Sequence, residues 1–148
     1  MKNEPFVIER TFNASPERIW KAISDREQMK QWYFDIAAFK PEIGNEFEFT
    51  GTSPDGTVYV HKCKVIESVP NKKLKYSWRY DGHPGNSFVT FELFAEGDKT
   101  KLRLTHEGLE TFPAIKDFAK ENFAKGWTSL IGTSLGNFLE KQLSNKTA

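Results

Sequence analysis

From Gly44 to Gly108 the chain swings between apolar and polar residues with a period of two, and short turn sequences cut the pattern at regular intervals. No other feature narrows the choice of folds as much. GNEFEFTG sets Phe47 and Phe49 against Glu46 and Glu48. SPDG then turns the chain, and TVYVHKCKVIESV puts Tyr59, His61, Cys63 and Val65 on one face. Val60 and Ile66 blur that alternation, which predicts a bulge. PNKK turns again before LKYSWRY, where Leu74, Tyr76, Trp78 and Tyr80 oppose Lys75, Ser77 and Arg79. After DGHPGN, SFVTFELF sets Val89, Phe91 and Leu93 against Phe88, Thr90, Glu92 and Phe94. EGDK is the last turn, and TKLRLTHEG follows with Leu102, Leu104 and His106 on one face. Strands joined by turns this short pair with their neighbours as an antiparallel meander. One face of such a sheet is apolar and needs a cover.

The flanking segments supply the remaining elements. PFVIERTF reads as a first strand, with Phe6, Ile8 and Phe12 on one side and Arg10 out of pattern. In NASPERIW, Ser15 suits an N-cap and Pro16 the first helical position, while Arg18 stands where a capping box would have Glu. Ile19, Trp20 and Ile23 give that helix an apolar face, and a second short helix runs from Arg26 to Tyr33 with Met29, Trp32 and Tyr33. The cover is GWTSLIGTSLGNFLEK, read as a helix from Gly126 to Lys141. Its apolar arc of Trp127, Leu130, Ile131, Leu135, Phe138, Leu139 and, beyond it, Leu143 spans about half the cylinder. Gly126, Gly132 and Gly136 sit along this helix although each glycine in a helix interior costs roughly 1 kcal/mol against alanine. Gly132 and Gly136 border the apolar arc, and Ser134 lies within it. Either the glycines let the helix approach the sheet closely, or they leave room for a guest.

These elements make an α+β fold: a strand, two short helices, a five-stranded antiparallel meander, and a long C-terminal helix packed on a curved sheet. The expected organisation is a single domain over residues 1–148, with its core about 6–143. One cysteine, Cys63, allows no internal disulfide and fits a reducing compartment, so a cytoplasmic location is expected. MKNEPFVIER lacks the apolar run of a signal peptide, and no stretch approaches the ~18 apolar residues of a membrane span. Formal charge is +1, with 21 basic residues interspersed among 20 acidic ones. The cluster of Lys72, Lys73 and Lys75 sits beside a turn rather than in a stripe, which argues against nucleic acid as a partner. Aromatic residues reach 14%, enough to thicken a core or wall a ligand cavity.

NASPERIWKAISDREQMKQWY resembles the opening of the START-like (SRPBCC) superfamily, through Ala14, Pro16, Ile19-Trp20, Ala22-Ile23, Asp25 and Trp32-Tyr33. LKYSW, LRLTHEG and the final GWTSLIGTSLGNFLEK are similar to segments of one branch, the homologues of the activator of the ninety-kilodalton heat-shock protein ATPase. The resemblance runs from about Val7 to Leu143. It implies a helix-grip fold with a cavity between sheet and helix, and an apolar or aromatic small molecule as partner. It also implies a heat-shock chaperone as an alternative partner. The chain resembles only the C-terminal domain of the eukaryotic co-chaperone, so the resemblance does not extend to the domain tied to chaperone binding. A few members of the superfamily are polyketide cyclases or dehydratases.

The expected cavity walls are Trp32, Phe47, Phe49, Tyr76, Trp78, Phe91, His106, Trp127 and Ile131, with Ser134 on the helix. His106 is the one candidate acid or base, set against its alternative as a core histidine bonded to backbone. Tyr76 and Trp78 are equally at home in plain packing. Arg10 and Glu92 have uncertain facing, and a pair between them would be structural. Cys63 has no evident basic helper. No nucleophilic triad is evident, His61, His83 and His106 lack zinc-like spacing, and no GxGxxG appears, so neither metal nor cofactor is expected. Three readings stay open: a small-molecule-binding domain, a chaperone-associated regulator, and a cyclase-type enzyme.

Overall fold

The computed structural model describes residues 4–147 other than 37, 38, 54, 116 and 117, with side chains as far as Lys141. Strand β1 (Phe6–Phe12) leads into α1 (Pro16–Ser24) and α2 (Arg26–Trp32). The meander follows as β2 (Glu46–Thr52), β3 (Val58–Val69), β4 (Lys73–Tyr80), β5 (Ser87–Glu96) and β6 (Lys99–Glu107). These six strands form one antiparallel sheet in the order β1-β6-β5-β4-β3-β2. The architecture is the helix-grip fold that the family resemblance implies, built on the antiparallel meander that the alternation and its turns imply.

Local chemistry sets the boundaries. The Ser15 side chain accepts from the Arg18 amide at 3.2 Å, and Asp25 caps α2 by accepting from Gln28 N at 3.2 Å. The bulge expected in β3 lies between Val65 and Glu67, where the register to β4 shifts and Ile66 is left on the exposed side. Asn71 takes a left-handed φ of 66° in the PNKK turn, a conformation Asn tolerates better than most residues. Gly108 is required where β6 ends. Its φ is 85°, and a methyl there would lie 2.8 Å from the Asn86 carbonyl oxygen. The turn at SPDG includes Pro54 and so lies partly outside the described residues.

The C-terminal helix is longer than its sequence pattern suggests. It begins as α3 (Lys120–Ser129), continues through a π-helical segment (Leu130–Leu135), and ends as α4 (Gly136–Thr147). Phe123, Trp127, Ile131, Leu135, Phe138 and Leu139 are buried against the sheet, whereas the side chain of Leu143 lies outside the described residues. A π turn is rare and forms mostly inside α-helices, often at functional sites. Here it contains Gly132 and ends just before Gly136.

Neither glycine reading holds for Gly132 and Gly136. A methyl on Gly132 would meet the Arg10 guanidinium at 3.7 Å, and one on Gly136 would meet Phe12 Cε1 at 3.6 Å. Both are ordinary contacts, so close backbone approach does not demand glycine. Both also face β1 rather than an opening. Gly126 differs from both: it is exposed, and a methyl there would meet nothing within 4 Å. Arg10 is exposed beside the helix, donates to the Glu9 carbonyl at 2.8 Å and does not pair with Glu92. Instead Glu9 pairs with Arg103 at 2.6 Å on the outer face of the sheet.

Candidate functional site

The inner face of the sheet is filled by its own side chains. Tyr76, His106 and Ile131 are 0% exposed, and Phe91 and Phe47 are 2% exposed. The hydroxyls of Tyr33 and Tyr76 bond each other at 2.7 Å, and the Trp32 indole donates to the Ala22 carbonyl at 2.8 Å. Trp127 enters this cluster from α3, with its ring 5.6 Å from Trp78 and 6.0 Å from Tyr33. Six of the expected cavity walls, Trp32, Phe47, Tyr76, Phe91, His106 and Ile131, are thus core. Their aromatic mass closes the space that a guest would need.

His106 has a definite role. Its Nδ1 accepts from Trp127 Nε1 at 3.0 Å, and its Nε2 lies 2.8 Å from Ser87 Oγ. The Ser87 hydroxyl donates to the Trp78 carbonyl at 2.8 Å, so it accepts from His106 and the ring carries its proton on Nε2. Burial pushes the His106 pKa down to about 3. The ring is neutral, both nitrogens are engaged, and it reaches no opening. The acid–base role considered for His106 gives way to a structural one, holding α3 to β4, β5 and β6. Cys63 is likewise buried, and burial raises its thiol pKa far above the ordinary range, which leaves it unreactive.

Space survives at one end of the sheet. A groove of about 480 Å³ opens between β2, β3 and β4 on one side and α3 on the other. Its walls include Phe34, Tyr59, His61, Trp78, Tyr80 and Trp127. Phe118, Phe123 and Leu130 close its flank, and Gly126 lies on its lip. Of the expected wall residues, only Trp78 and Trp127 line it. Phe49 stands behind, stacked on His61 with centroids 4.4 Å apart, and Ser134 is not part of the lining.

The groove depends on Gly51. A methyl there would sit 2.9 Å from His61 Cε1, so the glycine gives the imidazole its place. His61 Nδ1 lies 3.2 Å from the Phe49 carbonyl oxygen, and burial pushes its pKa down to about 4. The Trp78 indole donates to the Tyr80 hydroxyl at 2.9 Å. A second depression of about 620 Å³ lies among Glu46, Glu48, Lys62, Lys64 and Arg79. Its charges are mixed, and Lys62 is already paired with Glu48 and Asp81, so it offers no comparable apolar surface. Among the described residues no group of His, Cys, Asp or Glu has the geometry of a metal site, and no helix is long and apolar enough to cross a membrane.

Sequence reasoning missed Phe34, Phe112, Phe118 and Phe123. Phe34 follows the last periodic helical residue, Phe112 and Phe118 lie between the final strand and the helix, and Phe123 lies in the first turn of α3, ahead of the helix start expected from the sequence. The signal available was density rather than period: three phenylalanines fall within a dozen residues.

A curved antiparallel sheet gripping an aromatic-rich C-terminal helix has close counterparts, and residues 13–140 match the family model described as Activator of Hsp90 ATPase homolog 1-like protein. The chain belongs to this family. Within it, the mouse activator of 90 kDa heat shock protein ATPase homolog 1 is 25% identical over 121 residues, covering 82% of this chain. The match spans 32% of that protein, so the chain corresponds to about a third of its relative's length. Among solved structures, MLL2253 from Mesorhizobium loti is 26% identical with a TM-score of 0.74, covering 93% of this chain and 98% of that one. CalU16 from Micromonospora echinospora is 24% identical with a TM-score of 0.71 over 91% of this chain and 73% of its own, a likeness of fold alone. The AHSA1-like assignment agrees with the branch that the sequence segments resemble.

Proposed function

We propose that this AHSA1-like chain binds an apolar, ring-containing small molecule in the groove between β2–β4 and α3. The observation that carries this reading is the groove itself: about 480 Å³ of open space walled largely by aromatic side chains. Ligand sites are typically concave, mostly apolar and supplied with a few placed polar groups. His61, Tyr80 and Asn122 are such groups. The test is an amide chemical-shift titration of isotope-labelled protein against pooled fatty acids, sterols, flavonoids and fused-ring polyketides. Saturable shifts should cluster on Tyr59, His61, Trp78, Tyr80, Phe123 and Trp127. Shifts scattered over the outer face of the sheet, or none from any pool, would refute it.

The family match favours a second reading, regulation of a heat-shock chaperone. Stimulation of the ATPase of a cognate ninety-kilodalton chaperone by this chain would favour it over the groove reading. Because the match covers about a third of the mouse relative, little or no stimulation is expected from this segment alone.

A further inference from the structure

Resting on the groove as a binding site, we infer that the Tyr80 hydroxyl is its polar anchor and that the guest is a ring system bearing a carbonyl-type acceptor. The inference comes from accounting for donors at the groove floor. A phenol offers one O–H donor and two lone pairs. Tyr80 accepts the Trp78 indole N–H at 2.9 Å, which orients the oxygen, and no acceptor among the described residues takes its own proton. The side chain is 5% exposed and lines the groove. The neighbouring polar tips are already engaged. Trp78 Nε1 is bonded to Tyr80, Trp127 Nε1 to His106, and the neutral His61 ring gives its one N–H, on Nδ1, to the Phe49 carbonyl at 3.2 Å. Tyr59 has a partner of its own. Tyr80 therefore holds the one uncommitted donor among these ring systems.

Its surroundings define the partner. Phe112 and Phe118 pack around the ring with centroids 5.3 and 4.7 Å away, so the hydroxyl presents its proton from an apolar wall. Burial holds the phenol well above its ordinary pKa, which keeps it a donor. No carboxylate lies among the described lining residues, and the one cation is Lys125, so no ion pair is on offer there to a cationic guest. An unsatisfied buried donor is costly, and a site built to hydrogen-bond its guest rejects an analogue that lacks the acceptor.

The experiment compares 1-tetralone with tetralin, the same bicycle with and without its carbonyl, by amide-shift titration of the whole chain. Tetralone should bind the wild type about tenfold more tightly, the effect of roughly one buried hydrogen bond. Tyr80→Phe should erase that difference between the two probes. Because this substitution also strips the Trp78 indole of its acceptor, a second readout uses the wild type alone. The carbonyl stretch of bound, isotope-labelled tetralone should fall below its frequency in cyclohexane. Equal affinities for the two probes, with no lowering of the stretch, overturn the anchor while leaving the groove as a binding site. Failure of both probes to bind at millimolar concentration overturns the groove and the anchor together.

Discussion

Lowering the pH from 7 to 5 should destabilise this fold by about 4 kcal/mol, through two histidines that the native state holds neutral. His106 is 0% exposed and His61 is 8% exposed, and their pKa values are pushed down to about 3 and about 4. In the unfolded chain both return to about 6.5. Between the native and unfolded values the unfolded state binds more protons, so stability falls as pH falls. No loss is expected above about pH 7, and at pH 5 each histidine forfeits roughly 2 kcal/mol, at about 1.4 kcal/mol per pH unit. Glu9, which the Arg103 hydrogen bond holds below the ordinary carboxylate value, titrates beneath this window. The assay is urea unfolding followed by tryptophan fluorescence at half-unit steps, with the m-value checked for constancy. His61→Phe, which keeps the stack on Phe49, should halve the slope. An unfolding free energy that stays flat between pH 7 and pH 5 would refute the picture of two buried neutral rings.

Other perturbations follow from the same geometry. Gly136→Ala should stabilise the fold by about 0.5–1 kcal/mol, since the methyl gains ordinary contact with Phe12 and the helix loses a flexible residue; a clear fall in the denaturation midpoint would contradict this. Gly126→Leu should leave the unfolding midpoint near wild type but weaken any guest by filling the lip of the groove, read by titration with whichever pool gives shifts. Thr100→Val removes the buried hydroxyl that donates to the Ala14 carbonyl at 2.7 Å and should cost about 1–3 kcal/mol, measurable by urea unfolding. Ser15→Ala should cost about 1 kcal/mol by uncapping α1, and no loss would show that the Arg18 amide finds another acceptor.

The strands were legible because their physics is local. Alternation over Leu74–Tyr80 fixes which side chains face inward, and the turn sequences around it fix where pairing reverses. Even the bulge showed, because Ile66 breaks a pattern that its neighbours keep. The site was less legible because facing inward does not separate a filled core from an open one. Tyr76 and Trp78 lie on the same face of the same strand, yet one is sealed under Tyr33 and the other borders the groove. That distinction depends on Tyr33 at the end of α2 and on Phe34 and Phe118, which arrive from segments without period. The π-helical turn was invisible for a related reason. Helical periodicity reports which residues are buried, and Ile131 and Leu135 keep α-like spacing while the backbone between them is wound more loosely.

Trp127 belongs to two structures at once. Its nitrogen is the first donor in the chain of hydrogen bonds through His106 and Ser87 to the Trp78 carbonyl, and its ring is part of the groove wall. Each bond in that chain has a fixed direction, so it acts as a locating pin rather than a conduit for protons. The depth of the groove is therefore gauged from behind, by an imidazole that no guest can touch. A chain in this family with a different side chain at the position of His106 would seat its indole at another height. Its groove would then have another depth without a change in a single residue that lines it.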